Sequence, residues 1–137
     1  MLYTACARRQ GAMQDVISTD AAPAAVGAYS QATMTDGLVY TAGQLPMTPE
    51  GDLLTDASVA EQTTRCLQNI EAVLAAVDLS MAAVIKTTVF LADIGTFDEF
   101  NAAYGEFFPE QPPARSAVEV GAVPKGAAVE IEAVAAR

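Results

Sequence analysis

The chain has 137 residues, 52% hydrophobic and 18% charged, which is one domain with a single core and more apolar side chain than a monomer of this size hides. Its net charge of −10 repels nucleic-acid phosphates and anionic membranes, so neither is expected as a partner. The sequence has no histidine, which removes imidazole metal sites, Ser/His/Asp triads and histidine bases and leaves acid–base chemistry to carboxylates and tyrosines.

Residues 1–12 include Arg8 and Arg9 and lack the apolar run of a secretory signal or membrane span. Met13 is an alternative start. Residues 1–16 are expected to form a flexible N-terminal extension ahead of a domain at 17–137. Cys6 and Cys66 lie far apart without CxxC spacing, so neither a disulfide framework nor a thiolate metal site is indicated, and a reducing cytoplasm fits.

After an extended lead-in around Pro23, a strand is predicted over Tyr29–Met34, a turn at Asp36-Gly37 and a return strand over Leu38–Leu45. Pro46, Pro49 and Glu50-Gly51-Asp52 then form a surface loop. Asp56–Val77 carries the helical stripe Val59, Cys66, Leu67, Ile70, Val73, Leu74 and Val77, with Ser58 and Glu61 as a capping box and Cys66 as a core residue. Val84–Ala92 is β-branched and apolar enough for a central strand covered on both faces.

Thr96 and Glu99 suit a second capping box, opening a shorter helix whose stripe of Phe97, Phe100, Ala103, Tyr104 and Phe107 reads as core. Beyond Pro112-Pro113, Ala114–Val123 and Ala127–Ala135 alternate with a period of two and flank a turn at Pro124-Lys125-Gly126, which predicts an antiparallel hairpin. The order β-β-α-β-α-β-β makes an α+β domain with two helices on one face of a mixed sheet, the other face being left for a neighbouring subunit.

Two charges stand out in the last strands. Arg115 projects with Ala117 and Glu119 from an otherwise apolar strand; its forked guanidinium suits bidentate capture of a 2-keto or 2-imino acid carboxylate, or else a structural ion pair with Glu119 or Glu130. Glu130 alternates with Val129 and Ile131, and is either a general base on water or a solvated carboxylate. Hairpin pairing of the two strands sets Arg115 and Glu130 too far apart for one small ligand, so a joint role calls for long side-chain reach, a bulge or two subunits.

The stretches Pro23-Ala24-Ala25-Val26-Gly27-Ala28-Tyr29-Ser30-Gln31, Thr41-Ala42-Gly43-Gln44-Leu45-Pro46, Pro113-Ala114-Arg115-Ser116-Ala117-Val118-Glu119-Val120 and Val129-Glu130-Ile131-Glu132-Ala133 together resemble the RidA (YjgF-like) family of reactive-intermediate deaminases. The resemblance implies a chorismate-mutase-like α+β fold, a homotrimer with an inner barrel of sheets, and clefts between subunits. It also implies hydrolysis of 2-imino acids such as 2-iminobutanoate and 2-iminopropanoate to 2-keto acids and ammonia, without metal or cofactor. By the same resemblance Arg115 grips the substrate carboxylate and Glu130 places the attacking water. Tyr29, Gly43 and Asn101 line the cleft, and the backbone at Ala117 offers polar contacts near the imine.

The sequence departs from the archetypal members at Ala42, where they have Ser, and at Ala117, where they have Cys. A mechanism that uses that hydroxyl or thiol directly is therefore closed to this chain, whereas carboxylate anchoring and a placed water are not. Two other readings follow from the resemblance: a specialised deaminase acting on an aminoacrylate or aminomuconate, and a non-catalytic carboxylate-binding or chaperone-like module.

Overall fold

Among the described residues, seven strands form one mixed sheet, and two helices cover one of its faces. A computed structural model gives this fold; it describes the backbone of residues 6–8 and all of residues 14–137. In chain order the elements are β1 (Cys6–Arg8), β2 (Asp15–Ile17), β3 (Ala32–Thr35), β4 (Leu38–Thr41), α1 (Val59–Ala75), β5 (Val84–Leu91), α2 (Phe97–Gly105), β6 (Ala114–Glu119) and β7 (Val129–Ala136). Across the sheet the order is β1-β2-β3-β4-β7-β5-β6, every pair antiparallel except β5 with β6.

The α+β expectation holds, and the helices lie where the apolar stripes put them. Along β7, Val129, Ile131, Ala133 and Ala135 are buried against the helices, while Glu130, Glu132, Val134 and Ala136 alternate to the opposite face. Leu67, Ile70, Val73 and Leu74 of α1 and Phe100 of α2 are fully buried above them, each such side chain contributing roughly 1.5–3 kcal/mol. Cys66 is a buried core residue as expected, and burial drives its thiol pKa far above the usual range.

The sheet also extends upstream. Asp15–Ile17 is a strand with Ile17 fully buried, and Cys6–Arg8 pairs with it, although residues 1–16 are expected to be a flexible extension. Apolar content too low to register as a strand is enough here because β3 already offers a free edge. The rest of that expectation, including Met13 as a start, concerns residues 1–5 and 9–13, which lie outside the described residues.

Two finer expectations are corrected. The last two strands do not form a hairpin: β6 pairs in parallel with β5, and β7 is inserted between β4 and β5. A period of two fixes which residues share a face but not which strand lies next door, and the α2 crossover returns the chain parallel to β5. Leu38–Leu45 is strand only to Thr41, after which Gln44 makes an isolated bridge to Ile131. As expected, β5 lies inside the sheet; among the described residues nothing covers its second face, where Thr88 and Phe90 stay half-buried and Ile85, at a bulge, is 48% exposed, and this is the face left for a neighbouring subunit.

Only one of the two capping boxes forms its first bond. Ser58 Oγ accepts from Glu61 N at 3.1 Å, opening α1. Thr96 instead donates to Asp93 O, and Glu99 reaches across to accept from Ala60 N at 2.9 Å, so a carboxylate of α2 satisfies an orphan donor of α1. Asn69 of α1 ties down the loop after β4, donating to Leu45 O and Met47 O at 3.2 and 2.9 Å, and is itself held by Arg65.

Candidate active site

Arg115 faces the helical side of the sheet because its parallel register partner is Thr87, a buried residue whose hydroxyl meets Tyr104 Oη at 2.6 Å. There its guanidinium carbon lies 4.7 Å from the centroid of the Tyr104 ring, 5.3 Å from that of Phe97 and 5.5 Å from that of Phe100. Nη1 donates to Asn101 Oδ1 at 2.8 Å. All four partners come from α2, where positions 97, 100, 101 and 104 fall on one side at helical spacing. Burial pushes the Tyr104 phenol pKa up, against the pull of its Thr87 hydrogen bond and of the Arg115 charge.

The ion-pair alternative for Arg115 is not what forms. Glu119 turns its carboxylate to Ile94 N at 2.9 Å, and Glu130 projects from the other face of the sheet. Among the described residues, Asn101 Oδ1 is the acceptor that Arg115 meets, which leaves Nε and Nη2 with their donors open. The arrangement holds a cation without neutralising it, which is what a carboxylate site requires.

Glu130 belongs to a second group. It sits beside Gly43, and a Cβ added there would lie 2.9 Å from Glu130 Cδ, so glycine makes the room that the carboxyl group occupies. Gly43 is thus explained by Glu130 as a neighbour, before any ligand approaches. The same residue lines a cavity of about 330 Å³ with Tyr29, Gln44, Leu45 and Lys125. Tyr29 is 54% exposed there, its hydroxyl accepting from Val26 N at 3.4 Å. Glu130 is half-buried, and its pKa is raised by burial first and by the neighbouring Glu132 charge second.

Within one chain, then, the expected residues separate into two groups. Arg115 and Asn101 are in contact, with Ala117 one alternation further along β6 on the same face, opposite Val89. Tyr29, Gly43 and Glu130 form the other. The sequence pattern places Phe97, Phe100 and Tyr104 in the core, and in the structure their rings also carry Arg115. The available signal was Asn101, a polar residue bracketed by that aromatic stripe.

Residues 19–137 match the family model described as Endoribonuclease L-PSP. The chain belongs to this family, the RidA (YjgF-like) family. This RidA-family chain is 45% identical over 123 residues to a 2-iminobutanoate/2-iminopropanoate deaminase of Rattus norvegicus, an alignment that covers 90% of each chain. Among solved structures it resembles the YjgF gene product of E. coli, with a TM-score of 0.85 and 40% identity over 89% of this chain and 98% of that one. E. coli TdcF with bound serine gives a TM-score of 0.84 and 38% identity, again over 89% and 98%.

Proposed function

We propose that this RidA-family protein hydrolyses 2-imino acids, 2-iminobutanoate and 2-iminopropanoate among them, to 2-keto acids and ammonia in clefts between the subunits of a homotrimer. The observation that carries the reading is the Arg115 guanidinium, gripped by one amide and three rings with its remaining donors open to an anion. Relatives named for this reaction at 45% identity support it, and a related fold holding serine supports capture of a small amino-acid-like carboxylate.

In the proposed reaction Arg115 takes the substrate carboxylate on its fork, and the backbone at Ala117 meets the polar atoms near the imine. Glu130 of an adjoining subunit accepts a proton from water as the oxygen adds to the imine carbon. The C=N π pair moves to nitrogen, which takes that proton to give the carbinolamine; Glu130 then passes the hydroxyl proton to the same nitrogen, the C=O bond forms as the C–N bond breaks, and ammonia leaves. A raised Glu130 pKa favours the role, since a more basic carboxylate is the better proton acceptor. Tyr29 and Gly43 wall the cleft on the Glu130 side.

The reading of a multi-subunit site is supported by Arg115 and Glu130 projecting from opposite faces of the sheet in one chain. The uncovered sheet face, with Tyr40 and Val118 each more than two-fifths exposed, is the surface that a trimer would bury. No nucleic-acid or membrane role is proposed, because a charge of −10 repels both and no helix among the described residues is long and apolar enough to cross a bilayer. The free, buried Cys66 thiol supports a reducing, cytoplasmic setting.

The test is keto-acid formation from freshly generated 2-iminobutanoate and 2-iminopropanoate, measured against their unaided hydrolysis. Acceleration by the wild-type protein is expected; a rate equal to the uncatalysed one would overturn the proposal.

A further inference from the structure

We infer that Tyr104 is a positioning residue for carboxylate capture, acting through Arg115: its ring, fixed by the Thr87 hydrogen bond, holds the guanidinium so that the unpaired donor edge stays aimed away from the helix. This rests on the carboxylate-anchor reading of Arg115. It goes beyond that reading by assigning a functional part to a buried aromatic that would otherwise count as core.

Among the three rings under Arg115, that of Tyr104 is the nearest, at 4.7 Å. It is also the one with a directional tether, the 2.6 Å contact of its hydroxyl with Thr87 Oγ1. Thr87 is the register partner of Arg115 itself on the neighbouring strand, so the strand that sets where Arg115 starts also sets where the ring beneath its head lies. Phe100 and Phe108 pack against Tyr104 at centroid separations of 5.4 and 4.8 Å and restrict its tilt.

The choice of aromatic faces over a carboxylate matters. An Asp or Glu in that place would fix Arg115 at least as firmly, but would occupy the donor edge and cancel the charge. A ring face attracts the cation through its quadrupole and takes no N–H in exchange. Asn101 supplies the single hydrogen bond that sets rotation about the guanidinium, and it is neutral. An unclamped arginine on an edge strand would lose several rotamers on binding its ligand, and that entropy would appear as weaker capture.

The experiment compares wild type with Tyr104→Phe, Tyr104→Leu and Thr87→Val, each checked for native circular dichroism. Two readouts are taken: the proton shift of Arg115 Nε–H by NMR, and KM against kcat for 2-iminobutanoate. In wild type the ring currents displace the Nε–H resonance from its free-arginine position. Tyr104→Leu is expected to abolish most of that displacement and to raise KM about tenfold with little change in kcat, the loss of one cation–ring contact. Tyr104→Phe and Thr87→Val, which keep the ring and remove only the tether, are expected to give smaller changes in the same direction. If a folded Tyr104→Leu keeps both the shift and KM, the inference is wrong. Should that variant not fold, Thr87→Val decides: unchanged shift and KM overturn the inference equally. The NMR arm reads the clamp even in a protein without deaminase activity, so its failure and that of the proposed reaction are told apart.

Discussion

Arg115 and Glu130 project from opposite faces of one sheet. Arg115 is level with Thr87 and Ala133, whereas Glu130 is level with Phe90 and Val118. Three residues along β5 and two strands across it put their Cα atoms on the order of 14 Å apart. No rotamer change brings two such side chains to one small ligand.

Complementation between subunits follows. Arg115→Ala and Glu130→Gln chains are each expected to be inactive alone, and to regain about a quarter of wild-type activity when unfolded and reassembled as an equal mixture, because a quarter of the interfaces then pair an intact Arg115 with an intact Glu130. Activity of the mixed assembly is the measurement. A mixture as inactive as its parents would mean that both groups act from one chain or that one is not used.

Lysine should replace Arg115 only in part. Arg115→Ala is expected to lower kcat/KM for 2-iminobutanoate by about a hundredfold or more, and Arg115→Lys to recover only part of this, since lysine keeps the charge but lacks the fork and the planar fit to the rings. Keto-acid release assayed on both variants, alongside their oligomeric state, checks it. Equal activity of Arg115→Lys and wild type would argue for a simple point charge.

The acid limb of the pH profile should report Glu130. Burial and Glu132 both raise its pKa, so as a base it becomes competent only above the ordinary carboxylate range, and kcat/KM is expected to rise with pH through that raised value. Removing the second cause with Glu132→Gln is expected to move the limb to lower pH. The same shift has a stability counterpart. A folded pKa above the unfolded one favours the protonated native state, so the penalty is absent below the unfolded pKa and grows as pH rises through the folded one. Glu130→Gln should therefore raise Tm at neutral pH, by an amount that shrinks on acidification, while activity is lost.

Gly43→Ala tests the packing beside Glu130. The new methyl would sit 2.9 Å from Glu130 Cδ, and a flexible carboxylate side chain moves more easily than the backbone. The expected result is a modest loss of stability, about 1 kcal/mol, together with a large fall in kcat as the carboxylate is displaced. Thermal melts and steady-state rates on one preparation separate the two effects.

Much of this fold was legible because the patterns are strong. The stripe from Val59 to Val77 predicts α1, and the alternation from Val129 predicts β7 and puts Glu130 on the face away from the core. What the pattern does not carry is adjacency. Nothing in Ala114–Val123 says that β6 will lie parallel to β5, since that depends on the handed return through α2. Motif resemblance singles out Arg115, Glu130, Tyr29, Gly43 and Asn101 as the candidate site, and the structure brings Arg115 to Asn101 and Glu130 to Gly43. The rings under Arg115 were hidden by their own hydrophobicity, because Phe97, Phe100 and Tyr104 satisfy a core reading completely and only the position of the neighbouring strand reveals their second task.

Asn69 has one further consequence. By tethering Leu45 and Met47 to α1, with Gln44 bonded to Ile131 on β7, it moors the loop beyond Gly43 at both ends to the most deeply buried parts of the molecule. That side of the proposed cleft is held by hydrogen bonds to α1 and β7. For the proposed reaction, the choice among imines would then rest on a mould already cast before any of them arrives, and widening the repertoire would mean recutting the loop rather than loosening it.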